Sequence, residues 1–130
     1  MSTLLSLLVL DTRWRRLRLG AGLLMYTAII VLGSIPGARA DIGQYAPGIA
    51  LHSVAYAIIT FLLFTGTEGT PRARALKAVL GVAAMGAFDE FVQSFLPYRS
   101  ADVRDWMVDC GAAALMGAAL WAFLPPPHKR

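Results

Sequence analysis

Long apolar stretches alternate with short polar gaps along the chain. The apolar blocks lie at residues 19–35, 48–65, 76–96 and 106–124. Each approaches the roughly 17–25 residues that carry a helix across a bilayer core. The pattern predicts an all-α polytopic membrane protein, a compact bundle of about four transmembrane helices. Pro36, Pro47, Pro71, Pro97 and Pro125 fall in or beside the gaps, where proline ends a helix without breaking a span. Thr3–Leu10 is apolar but too short to cross. With Arg13, Trp14, Arg15, Arg16 and Arg18 following, it is expected to lie along the inner interface. The chain thus divides into a basic N-terminal segment (1–18), a transmembrane domain (19–124) and a tail (125–130).

Charge sets the expected orientation. Lysine and arginine exceed acids at the N-terminal flank, in the second connection (Arg72, Arg74 and Lys77 against Glu68) and at Lys129 and Arg130. The other two connections balance Arg39 with Asp41, and Arg99 and Arg104 with Asp102 and Asp105. The basic excess alternates sides, which predicts both termini in the cytoplasm. Ala38 and Ala40 also satisfy the small-x-small pattern of a cleaved secretory signal, but the long basic region favours a retained first helix.

Composition agrees with the pattern. Of the 130 residues, 57% are hydrophobic and 15% charged, and the mean hydropathy is +0.59. The length bounds the chain to one domain. The net charge of +4 is spread over the flanks of apolar runs rather than along one basic stripe, so no nucleic-acid partner is expected. The single cysteine, Cys110, excludes an intramolecular disulfide.

Against this background the segment DEFVQSFLPYRSADVRD, Asp89–Asp105, is dense in charge. Helix rise brings its residues to one depth. His52 and Tyr56 lie about 6 and 12 Å below the outer boundary, on one face of the second block. Asp89, Glu90 and Gln93 lie in the outer third of the third block, about 20 Å from its inner end. Asp105 stands at the mouth of the fourth block, with Asp109 one turn deeper on the same face. Together with Arg99 these form one expected polar cluster: His52, Tyr56, Asp89, Glu90, Gln93, Arg99, Asp105 and Asp109. Gly81, Ala83, Ala84, Ala87, Ala112, Ala113 and Gly117 would let the helices approach closely enough to assemble it.

The cluster resembles the VanZ-like family of small membrane proteins, of the teicoplanin-resistance type. The family's D-E-x-x-Q-x-F-x-P-x-R is matched by Asp89, Glu90, Gln93, Phe95, Pro97 and Arg99. Asp105 and Asp109 follow at the family's spacing, and His52 and Tyr56 supply its H-x-x-x-Y. The resemblance covers roughly residues 48–117. Gly48 and Ile49 stand where the family often has Asp-Lys, Asp109 where Asn is usual, and Ala112 where Gly is usual. The resemblance implies a multi-pass protein of the bacterial inner (plasma) membrane with a role in the cell envelope and an effect on glycopeptide susceptibility. It implies no agreed reaction.

A bidentate Arg99–carboxylate pair could simply staple two helices together. The surplus of acids over Arg99, Arg104 and His52 instead favours a site, because unmatched carboxylates inside a membrane call for protons, a metal or a ligand. Arg104 lies outside the motif and is expected to be solvated, Cys110 to be packing, and His128 to carry no signal. Three chemistries remain open. Arg99 could hold the phosphate or carboxylate of an envelope ligand, a lipid-linked cell-wall precursor or a lipoglycopeptide. His52, Asp89, Glu90 and Asp105 are the candidates for acid–base catalysis on such a ligand. His52, Asp89, Glu90, Asp105 and Asp109 could bind a divalent cation such as Mg²⁺, Mn²⁺ or Ca²⁺. Binding of the envelope ligand is the leading expectation, with membrane-embedded catalysis as the alternative.

Overall fold

The computed structural model describes residues 4, 9–37, 48–98 and 103–124, with backbone alone at 48 and 49. Among these residues the fold is all-helical, without a strand. A short 3₁₀ turn, Thr12–Trp14, leads into α1 (Arg15–Ser34), followed by α2 (Gly48–Gly66), α3 (Pro71–Gln93) and α4 (Val103–Phe123). The third helix begins five residues before the apolar block that announced it. Thr70 caps it by accepting from Ala73 N, and Pro71 occupies the first turn, where its missing N–H costs nothing. Hydropathy alone passed over this start because Arg72 and Arg74 interrupt the apolar run.

The helices run alternately up and down. Leu19 near the start of α1 meets Gly66 at the end of α2, and Val79 early in α3 meets Gly117 late in α4. α2 is the central element, packing on each of the other three, while α1 touches α3 little. One buried stripe runs the length of α3 through Arg74, Ala75, Ala78, Val82, Gly86, Asp89 and Gln93. Its middle is small and apolar and its two ends are polar. Facing it, α4 buries Asp109, Ala113, Gly117 and Leu120, and α2 buries Tyr56, Ile59, Leu63 and Phe64. Glycine is required where backbones approach. A Cβ on Gly66 would lie 2.9 Å from Leu19 N, and one on Gly117 would lie 2.8 Å from Val79 Cγ2.

Length and apolarity distinguish the helices. Among the described residues two stretches could cross a membrane by these measures, Thr12–Ser34 and Val103–Phe123, while the apolar run of α2, Ala50–Gly66, is shorter. α3 is not apolar enough over such a length, with Arg72, Arg74 and Lys77 near its start and Asp89 and Glu90 near its end. The sequence predicted four spans; composition alone singles out two of the four helices.

The ends of the bundle differ in chemistry. At one end α2 terminates among cations. Arg18 donates from Nε and Nη2 to Thr65 O at 3.3 and 2.9 Å, and from Nη2 to Asp11 O at 3.0 Å. Arg74 donates from Nε to Phe64 O at 2.9 Å and lies 4.5 Å over the Phe64 ring. These carbonyls are ones a helix C-terminus leaves without intrahelical partners, and the helix dipole makes cations welcome there. At the other end Tyr98 donates to Ser34 O, tying the turn after α3 to the end of α1.

Candidate functional site

The polar cluster lies at the end of the bundle remote from Arg18 and Arg74. His52 Nδ1 is 3.3 Å from Asp109 Oδ1, joining α2 to α4. With the carboxylate as acceptor, the ring donates through Nδ1 and keeps Nε2 as an acceptor. Asp109 is fully enclosed, at 1% side-chain exposure, whereas His52 retains 25%. One turn deeper, the Tyr56 ring stacks on His52 with centroids 5.9 Å apart. That contact follows directly from their i, i+4 spacing on α2.

α3 closes the site from the other side. Asp89 and Gln93, again one turn apart, are both buried. Tyr56 lies within electrostatic range of Asp89, Asp109 and Glu90, and His52 within range of Asp109, Asp89 and Asp105. Gly86 makes room for this approach: a Cβ there would lie 3.0 Å from Trp106 Cδ1 and 3.4 Å from Asp109 Oδ2. Trp106 Nε1 donates to Ala83 O at 2.9 Å, which fixes the start of α4 against α3 beside the carboxylate.

Two buried oxygens at this end, Tyr56 Oη and Gln93 Oε1, have no hydrogen-bond partner among the described residues. Leaving such a group unpaired costs about 1–3 kcal/mol. A fold built for stability alone would fill those positions with phenylalanine and an aliphatic side chain.

Of the predicted residues, His52, Tyr56, Asp89, Gln93 and Asp109 are thus drawn together, with half-buried Glu90 and Asp105 at the same end. Arg99 lies outside the described residues, as do Asp102 and His128. Arg104 is exposed and Cys110 half-buried. Among the described residues no three His, Cys, Asp or Glu side chains converge as a metal-binding group. The divalent-cation reading therefore finds no assembled ligand set there.

Sequence reasoning missed Tyr26. This α1 residue donates to Met85 O at 3.0 Å and stands close enough to Asp89 and Tyr56 to interact electrostatically with both. A signal existed: Tyr26 and Thr27 are the only polar side chains between Arg18 and Ser34. Trp106 was read as the start of an apolar block, although its indole N–H needs a partner when half-buried.

No curated protein and no solved structure shows significant similarity to the chain. The VanZ/LLP1 profile matches residues 48–125, which takes in α2, α3, α4 and every predicted site residue. The match covers more than half of the sequence, and the chain belongs to the VanZ/LLP1 family.

Proposed function

We propose that the protein spans the cell membrane with its arginine-rich end in the cytoplasm. Its His52–Asp109 end then binds the polar part of an envelope ligand near the outer surface. Leu24, Leu80 and Leu115, on three different helices, are 72%, 66% and 77% exposed. So much large apolar surface is unusual against water and natural against lipid. Arg13, Arg15, Arg16, Arg72 and Lys77 gather at one end, supporting the orientation through the positive-inside rule.

The observation that carries the binding reading is the pair of buried oxygens, Tyr56 Oη and Gln93 Oε1, unpartnered among the described residues, at the same end of the bundle as the enclosed Asp109 carboxylate. A ligand's hydroxyl, amide or amine hydrogens fit these acceptors and the His52 ring. Arg99, at the adjoining turn in sequence, supplies the counter-charge for a phosphate or carboxylate. The ligand class is a lipid-linked cell-wall precursor or a lipoglycopeptide, with glycopeptide susceptibility as the phenotype. The His52–Asp109 contact also supports the catalytic alternative, because a carboxylate on Nδ1 orients Nε2 to act as a base.

Native mass spectrometry of gently purified protein tests the proposal, with Tyr56→Phe and Gln93→Met beside wild type. Each substitution removes an unpartnered oxygen, so thermal stability should hold or rise by about 1 kcal/mol. Retention of a co-purifying ligand should be lost. Retention equal to wild type, or variants that melt earlier with no ligand in any sample, would return the cluster to a helix staple. Product formation in the same samples, absent in His52→Gln, would favour catalysis.

A further inference from the structure

Among the described residues the basic end of the bundle gathers Arg15, Arg18, Arg74 and Lys77, with Asp11 and Glu68 as acidic neighbours. Arg15 and Arg18 from α1 and Arg74 from α3 lie near enough to repel one another. Arg18 and Arg74 spend hydrogen bonds on the neutral carbonyls of Thr65, Asp11 and Phe64. Arg74 is only 3% exposed and has no carboxylate partner among the described residues. Arg15 Nη1 reaches Glu68 Oε1 at 2.6 Å, but that glutamate side chain is 79% exposed, so water screens the pair. Arg15 Nε, by contrast, is buried and has no acceptor among the described residues. Lys77 Nζ adds a further cation, donating to Glu68 O at 2.8 Å.

The geometry points to a phosphate-binding site at this end, built on Arg15 with Lys77 and the buried charges of Arg18 and Arg74 behind it, whose ligand is the phosphodiester of an anionic lipid. A guanidinium presents a planar fork that matches two phosphate oxygens. Arg15 has a buried donor to spare, and the 19% of its side chain that remains exposed is where a headgroup could arrive. Basic pockets between helices on the cytoplasmic side are suited to lipid phosphates, and the exposed apolar helix flanks would receive the acyl chains. The site is separate from the His52–Asp109 cluster. His52 and Thr65 are thirteen positions apart on α2, about 20 Å of helix.

The test is lipid retention by the full chain in detergent, read by native mass spectrometry. The probes are phosphatidylglycerol and phosphatidylcholine with identical acyl chains, and inorganic phosphate at fixed ionic strength. Wild type should retain phosphatidylglycerol about tenfold better than phosphatidylcholine, the size expected for one charge-assisted phosphate contact. Arg15→Gln should erase that preference while leaving the lipid-free melting temperature unchanged, since Arg18 and Arg74 still cap α2. Lys77→Gln, which leaves every arginine in place, should reduce the preference by a smaller factor, and Tyr56→Phe should not alter it. Equal retention of both lipids by wild type, or an undiminished preference in Arg15→Gln, overturns the site. Equal stabilisation by inorganic phosphate and phosphatidylglycerol overturns the lipid as its source.

Discussion

Two glycines on α4 should respond in opposite directions to the same substitution. Gly111 has nothing within 4 Å of the position a Cβ would take, whereas at Gly117 that position is 2.8 Å from Val79 Cγ2 and 3.9 Å from Ala75 O. Both lie inside the helix, so alanine brings each about 1 kcal/mol of helix propensity. Gly111→Ala should keep that gain. Gly117→Ala must also displace Val79, and a β-branched side chain on a helix has one strongly preferred χ1, so it cannot swing aside cheaply. Overpacking of this kind costs about 1–3 kcal/mol. Because the propensity term is common to both, the difference between the variants isolates the clash. That difference should be about 1–3 kcal/mol, or roughly 5- to 150-fold in the unfolding equilibrium. Equilibrium unfolding of both variants in one detergent, with matched denaturant slopes, measures it. Equal stability of the two would refute the close approach of α3 and α4, and with it the packing that holds Asp109 beside Gly86.

Arg18→Lys should lower stability by about 1.5–3 kcal/mol despite keeping the charge, because one ammonium cannot reproduce a guanidinium spanning Thr65 O and Asp11 O; thermal melting would show it. Thr70→Ala removes the α3 cap and should cost about 1 kcal/mol by the same measurement. Asp109→Asn keeps the shape but weakens the hold on His52 by about 1 kcal/mol, which should cut ligand retention roughly fivefold; undiminished retention would remove the pair from the site. In a Cys110→Ser background, a membrane-impermeant maleimide should label Tyr98→Cys from outside intact cells and Lys77→Cys only after the cytoplasmic side is opened, since Lys77 lies in the second turn of α3 and Tyr98 in the turn that follows its far end.

Much of the polar cluster's placement was legible because helices impose arithmetic. The i, i+4 pairs His52/Tyr56 and Asp89/Gln93 had to share faces, and antiparallel helices had to bring them to one level. The same arithmetic is silent on partners. Arg18 and Arg74 stood among flanking charges, yet both are buried against the end of a helix whose residues lie 47 and 10 positions away. Which carbonyls a flexible cation reaches depends on tertiary packing that neither hydropathy nor charge counting encodes. Tyr26 escaped for a related reason. A motif confined to α2, α3 and α4 draws attention away from α1, although a lone tyrosine in an otherwise apolar stretch has a hydroxyl to satisfy.

The family match opens at residue 48, but the bundle does not. α1 lies wholly upstream of the match, yet it supplies Arg18 to the end of α2, Tyr26 to the flank of the site and Ser34 O to the turn after α3. A chain trimmed to the matched residues would therefore leave two helix ends undressed and open Gly66 to its surroundings. The heritable module and the self-sufficient module are different objects here. Domain swaps between relatives that respect the first boundary alone would exchange the motif and forfeit its scaffold.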